Sequence, residues 1–170
     1  ATAESGLASP RFPASRPLSP RPCASWAPNL DDSPKGNNVT VYGQGAGVSV
    51  IGGNVVAEGN GFALRGVTVK GNVEISGGNN AALVLCVIEG DLVIHGNNNV
   101  IAECSVLGKI TIDGVNSVLV SNEIGKGIIL SEAKNTVCDG NVVWTDANAN
   151  RLFDAGESGA PITCESIKTK

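Results

Sequence analysis

From Asn38 onward, short runs of β-branched and aliphatic residues alternate with turns of glycine and asparagine. A strand, a turn and a second strand recur in the segments 72–90, 91–109, 110–127 and 128–143. Residues 38–53 and 54–71 are looser copies of the same unit. The period of 18–19 residues predicts a β-solenoid, in which each repeat forms one coil and equivalent residues stack in columns. We therefore expect an all-β fold with about six rungs over residues 38–143 and little α-helix.

Several columns of this coil are predicted to face inward, because alternation along a strand buries every second side chain. Two are aliphatic, and they run through Val73, Leu92, Ile110, Ile128 and through Ile75, Ile94, Ile112, Leu130. A third runs through Cys86, Cys104, Asn122 and Asn141. Stacked asparagine side chains hydrogen-bond along a coil, so they can be satisfied inside it.

Two strips that the same alternation turns outward are unusually apolar. The first contains Val93, Thr111 and Ile129. The second contains Leu83, Ile101 and Leu119, unless a corner of the coil turns these residues inward. Exposed apolar strips usually mark contact surfaces, so the sequence predicts a binding function for the coil itself.

The repeats, with their loose signature NNxVxxCxVxG, resemble the parallel β-helices of the pectin-lyase-like superfamily over about residues 38–143. The resemblance implies a single-stranded right-handed parallel β-helix. It is a resemblance of fold and not of activity, and the rungs are shorter here than is common in the enzymes of that family. A left-handed helix built from hexapeptides remains the alternative.

Residues 1–37 have a different composition and form a separate, Pro-rich arm. They hold seven of the eight prolines, which favours an extended chain near polyproline II. Residues 1–30 carry a net charge of +2 and residues 31–170 a net charge of −6. A solvated linker is one interpretation of such an arm. The other is that the arm docks on an acidic coil, within one subunit or on a neighbour, with Cys23 or Trp26 as its anchor.

Overall composition narrows the class of protein. The net charge of −4 favours no nucleic-acid partner, and no apolar run is long enough to predict a membrane span. The chain contains five cysteines and no methionine, not even at position 1. These features predict an extracellular or cell-surface protein from which a secretory signal has been removed, with a trimmed chain as the alternative.

The segment 144–170 begins with a motif that predicts a calcium site. Oxygen-bearing residues follow Trp144 with the spacing 1, 3, 5, 7, 9 and 12 of an EF-hand loop, the seventh through its carbonyl: Asp146, Asn148, Asn150, Leu152, Asp154 and Glu157. The stretch resembles the VWxDxNxNGxxDxGE loops of bacterial serine–aspartate repeat surface proteins, which implies a structural Ca²⁺ without flanking helices. Arg151 stands where those loops have glycine. A polar turn without an ion is the alternative.

Cysteine positions suggest how this segment is held. Cys138 and Cys164 bracket the loop and are predicted to form a disulfide. Cys86 and Cys104 are predicted to stack on adjacent rungs, either as buried thiols or as a disulfide. Cys23 is left over and could cross-link to a partner chain.

Groups that could carry catalysis are sparse, and we assign no catalytic residue. His95 is the only histidine, and the column of Glu74 continues with Val93 and Thr111, so no acidic pair forms there. Glu103 and Glu123 could pair loosely on the surface. The sequence therefore favours a secreted structural subunit that assembles head to tail into a filament or surface fibre, its arm lying on a neighbour. A polysaccharide-active β-helix enzyme or carbohydrate-binding protein, and a passive adhesin module, are the alternatives.

Overall fold

A computed structural model describes residues 36–131, 134–150, 154 and 156–164. These residues contain no α-helix and form a parallel β-solenoid of about five turns, so the predicted fold class is confirmed. Most of the N-terminal arm, including Cys23 and Trp26, lies outside the described residues.

Three sheets run along the solenoid, and each full turn contributes one strand to each sheet. Sheet I contains β1 (Thr40–Tyr42), β4 (Ala63–Arg65), β7 (Ala82–Val84), β10 (Val100–Ala102), β13 (Val118–Val120) and β16 (Val137–Asp139). Sheet II contains β2 (Val50–Ile51), β5 (Thr68–Val69), β8 (Val87–Ile88), β11 (Ser105–Val106), β14 (Glu123–Ile124), β17 (Asn141–Trp144) and an added antiparallel strand, β18 (Ser158–Ile162). Sheet III contains β3 (Val55–Glu58), β6 (Val73–Ser76), β9 (Leu92–His95), β12 (Ile110–Asp113) and β15 (Ile128–Ser131).

The first repeat is incomplete. Residues 38–53 supply β1 and β2 but no strand of sheet III, so five complete turns follow a partial one, where about six rungs were expected. The looseness of this repeat in the sequence corresponds to a missing strand.

The predicted inward columns of sheet III are confirmed. Leu92 pairs in parallel with Val73 on one side and with Ile110 on the other, and Ile94 is equivalent to Ile112. These side chains are fully or almost fully buried and form one continuous core along the solenoid. A core of stacked aliphatic columns accounts for a fold with so few aromatic residues, because each side chain packs on its equivalent one turn away.

The second apolar strip faces inward, which decides the alternative left open by the sequence. Leu83 is 0% exposed, and the corner between sheets I and II is the reason. After each of the central sheet I strands, one residue adopts a left-handed backbone, as Leu85 does with φ of 55°. This tight bend shifts the alternation of inward and outward side chains between sheet I and sheet II by one residue. The residues that flank Leu83, which are Ala82 and Val84, therefore point outward from sheet I.

One corner column is restricted to glycine by close backbone approach. A Cβ added to Gly96 would lie 1.7 Å from the carbonyl oxygen of Gly78 on the turn before. The φ of Gly96 is also +123°, which L-residues with a side chain rarely adopt. Glycine at this position allows successive turns to stack at the normal strand spacing.

Candidate functional site

The C-terminal segment is fastened to the end of the solenoid. Cys138 in β16 forms a disulfide with Cys164, just after β18, and their Cα atoms are 5.2 Å apart. β18 itself pairs antiparallel with β17, the last sheet II strand of the coil. The predicted pairing of Cys138 with Cys164 is thus confirmed. The disulfide and the extra strand hold both ends of the loop that was predicted to bind calcium.

A buried carboxylate organises this loop from inside. Glu157 accepts three hydrogen bonds: from the indole Nε1 of Trp144 at 3.1 Å, from the backbone N–H of Ala147 at 3.0 Å and from that of Asp154 at 3.1 Å. Trp144 is only 2% exposed, so its N–H needs an acceptor within the protein. Glu157 supplies that acceptor.

These donors also set the charge state of Glu157. The hydrogen bond from Trp144, followed by those from the two backbone N–H groups, lowers the pKa of Glu157 below its ordinary value, although burial opposes the shift. Glu157 is therefore ionised at neutral pH and braces the loop as an anion.

The other predicted ligands converge on each other in the outer part of the loop. The side-chain Oδ1 atoms of Asp146 and Asn148 both accept the backbone N–H of Asn150, at 3.1 and 3.0 Å. The Oδ2 atom of Asp154 accepts the side-chain amides of Asn148 and Asn150, at 2.7 and 2.6 Å. Four of the six predicted ligands are thus close together. Glu157 faces the inner side of the loop, and Leu152 lies outside the described residues.

The donor chemistry of this cluster is what a hard divalent cation takes, namely carboxylate and amide oxygens. Two of its four side chains are amides. Within the part of the chain that the structure describes, no group of three or more His, Cys, Asp or Glu side chains could hold a metal ion. Calcium binding here thus depends on asparagine oxygens in addition to Asp146 and Asp154, and it remains a prediction.

The predicted column of cysteine and asparagine is present inside the solenoid. Asn122 donates to the side-chain Oδ1 of Asn141 at 2.8 Å and to the backbone carbonyl of Ile101 at 2.9 Å, and it accepts from the N–H of Cys104 at 3.0 Å. Cys104 and Cys86 are buried free thiols rather than a disulfide. A hydrogen bond with Cys86, and burial in addition, raise the pKa of Cys104 well above its ordinary value, so it remains a thiol at neutral pH.

Among the described residues, the groups considered for catalysis lie on the outer surface, singly or in pairs. Glu74 lies between Val56 and Val93 on the outer face of sheet III, as expected. The Nδ1 atom of His95 lies 3.4 Å from the Oδ2 atom of Asp113 on the next turn, and both side chains are nearly half exposed. Such an exposed pair contributes little to stability. Glu123 accepts a hydrogen bond from Ser105 on the neighbouring strand.

Sequence reasoning missed the outer face of sheet I. Small and β-branched aliphatic side chains cover the middle of this face: Ala82, Val84, Val100, Ala102, Val118 and Val120. They pair in register from strand to strand and are half-buried or exposed. The sequence contains the pattern that predicts this apolar face, because the residues on both sides of Leu83, Ile101 and Leu119 are apolar as well.

Comparisons with known proteins add no identity. No protein-family model, curated protein or solved structure matches this chain. Neither the pectin-lyase-like resemblance nor the likeness of the loop to serine–aspartate repeat proteins therefore has a family match behind it. Among the described residues, no helix is long and apolar enough to cross a membrane.

Proposed function

We propose that this chain is a secreted, non-enzymatic structural subunit that assembles head to tail into a filament or surface fibre. The observation that carries the proposal is the state of the sheet edges. Among the described residues, β1 and β16 each pair on one side only, and so do β3 and β15. Sheets I and III thus offer open edges at both ends of the solenoid, which are templates for pairing with another chain.

The two ends are chemically different, which favours a head-to-tail contact. At the N-terminal end, Tyr42 is 74% exposed, and Val48 and Val50 are exposed beside it. At the other end, β18 covers the edge of sheet II, while Val137 on β16 is 54% exposed. An edge that joins a different edge makes a heterologous contact, and such a contact extends into a filament when it does not close into a ring.

Secretion and the N-terminal arm complete the proposal. The disulfide between Cys138 and Cys164 is consistent with an oxidising, extracellular compartment. The arm, whose net charge is opposite to that of the coil, is proposed to lie on the neighbouring subunit and to reinforce the contact between edges.

Sedimentation velocity and negative-stain microscopy of the full chain test the assembly. We expect species that grow with concentration, and we expect Tyr42→Lys and Val137→Lys each to weaken them, because the two substitutions place a charge on opposite sides of one joint. Val87→Lys, on the outer face of sheet II and away from both ends, serves as the matched control. A full-length chain that sediments as a monomer at every concentration would refute the proposal.

The loop at 146–157 is proposed to hold a structural Ca²⁺. Asp146, Asn148, Asn150 and Asp154 would supply side-chain oxygens, while Glu157 stays bonded to its three N–H donors. The ion would neutralise the carboxylates and cross-link the loop. Calorimetry of the full chain tests this. We expect heat of binding with Ca²⁺ that Asp146→Ala abolishes and Asp113→Ala, an exposed acid on the coil, leaves unchanged. Absence of heat at millimolar Ca²⁺ would end this part of the proposal.

A further inference from the structure

The outer face of sheet I is narrow, and its middle, on β7, β10 and β13, is an apolar strip. The six strands of sheet I span about 24 Å along the solenoid at the normal strand spacing of ~4.8 Å, and their length of three residues makes the face about 10 Å wide. Charged side chains of sheet I stand toward its two ends, as with Arg65 on β4 and Asp139 on β16. The strands between them present only alanine and valine outward.

The dimensions of the strip indicate what can cover it. Two such faces packed together would bury about 240 Å² per subunit, well below the ~800 Å² per partner of a stable protein interface. A width of about 10 Å corresponds instead to one extended polypeptide chain lying along the solenoid axis. A segment near polyproline II rises ~3.1 Å per residue and would cross the strip in about eight residues.

A segment with these properties precedes the described residues in this same chain. Residues 18–30 read LSPRPCASWAPNL, with prolines that favour an extended backbone and with Leu18, Trp26 and Leu30 as apolar side chains. Gly36, the first residue that the structure describes, donates its N–H to the carbonyl of Glu58 at the corner before sheet I. That corner lies at the axial end of the coil, next to β1 and therefore beside the strip.

We propose that the outer face of sheet I is the docking surface for residues 18–30 of a neighbouring copy of this chain. The inference rests on the proposed head-to-tail assembly, in which β1 of one subunit adjoins β16 of the next. The arm leaves its own subunit at that joint, where sheet I continues into the neighbour. Trp26 then covers the valines of the central strands, and Arg21, the one basic residue of the segment, lies over an acidic coil.

Quenching of tryptophan fluorescence by acrylamide tests the contact in the full chain. Trp144 is buried, so quenching reports on Trp26, and the Trp26→Phe variant supplies the Trp144 background. We expect the quenching constant of Trp26 in the assembled protein to be several-fold lower than that of free tryptophan amide. Val100→Lys/Val118→Lys, a directly opposed pair on β10 and β13, should raise it to the free value.

The matched control is Val87→Lys/Ser105→Lys, a directly opposed pair on the outer face of sheet II, which should leave Trp26 protected. Unchanged quenching of Trp144 in the Trp26→Phe background shows that each double variant is folded. Sedimentation velocity measures assembly separately on the same samples. An assembled protein whose Trp26 is fully accessible therefore refutes this inference and leaves the head-to-tail edge contact standing.

Three further outcomes would overturn the assignment. If Trp26 stays protected in the Val100→Lys/Val118→Lys variant, the arm docks elsewhere. If Trp26 is accessible and the same variant loses assembly, the strip contacts a second coil directly. If Trp26 remains protected after dilution to monomer, the arm covers the strip of its own subunit and not that of a neighbour.

Discussion

Replacing Asn122 by alanine should cost more stability than replacing any exposed asparagine of the solenoid. Asn122 is 0% exposed and bridges three turns of the coil. Alanine removes the acceptor of the Cys104 N–H, for which the described residues provide no other hydrogen-bond partner. A buried donor left unsatisfied costs about 1–3 kcal/mol. The two lost donations, to Ile101 and Asn141, add about 1 kcal/mol each, so we expect a loss of about 3–5 kcal/mol.

Guanidinium unfolding of the full chain, followed by far-UV circular dichroism, measures this loss as a fall in the midpoint at constant m value. Asn72→Ala is the matched control. The Oδ1 atom of Asn72 accepts the N–H of Asp91 at 2.8 Å in the same stacked manner, but this bond is exposed and water can replace it. We expect the control to lose less than about 1 kcal/mol. Equal losses in the free energy of unfolding for the two variants would show that burial of the stacked asparagine hydrogen bonds does not contribute to stability.

Three further changes have expected outcomes. Because the native pKa of Glu157 is lowered, Glu157 contributes stability that is present above its ordinary pKa of 4.5 and is lost as the pH falls through the native pKa. The Glu157→Gln variant should therefore lose that part of the acid dependence of the unfolding midpoint. An unchanged pH profile would contradict the stabilising role of the ionised carboxylate. Cys138→Ser/Cys164→Ser opens a loop with a sequence separation of 26 and should cost about 3.5 kcal/mol in denaturant unfolding by the chain-entropy argument, whereas a loss below about 1 kcal/mol would mean that β18 alone holds the segment. Ile112→Ala, in the centre of the core, should cost about 2–5 kcal/mol by the same measurement, and the half-buried Thr111→Ala far less.

The repeat made the core predictable from the sequence, because a column is specified once the period is known. Leu92, Ile110 and Ile128 follow one another at the period of the repeat, and each is preceded by polar or turn residues that fix the phase of its strand. The phase of sheet I was not fixed in this way. Leu83 and both of its neighbours are apolar, so hydropathy alone fits either orientation, and the left-handed corner at Leu85 decides between them.

The loop shows a similar division between what spacing can and cannot predict. The spacing 1, 3, 5 and 9 identified Asp146, Asn148, Asn150 and Asp154 as one cluster, because local hydrogen bonds in a polar turn depend on sequence distance. The role of Glu157 depends on a tertiary contact with the indole of Trp144. Trp144 stands at the end of the coil, where a buried indole N–H needs a hydrogen-bond acceptor within the protein. This requirement could have predicted from the sequence that a nearby acidic residue such as Glu157 turns inward.

The unequal ends of the solenoid bear on both proposals. An uncapped parallel coil would expose three open edges at each end and would pair without a preferred register. At the C-terminal end, β18 covers β17, so sheet II ends there in an antiparallel strand, and the disulfide fixes this capping segment in place. The parallel strands that an incoming subunit can extend at that end are then β16 of sheet I and β15 of sheet III. In the proposed joint, β1 of one subunit adjoins β16 of the next, so sheet I continues from one subunit into the other and the two apolar strips are aligned. The arm that precedes Gly36 then meets a continuous surface, and for this reason we expect the docking of the arm to be lost whenever the edge contact is lost.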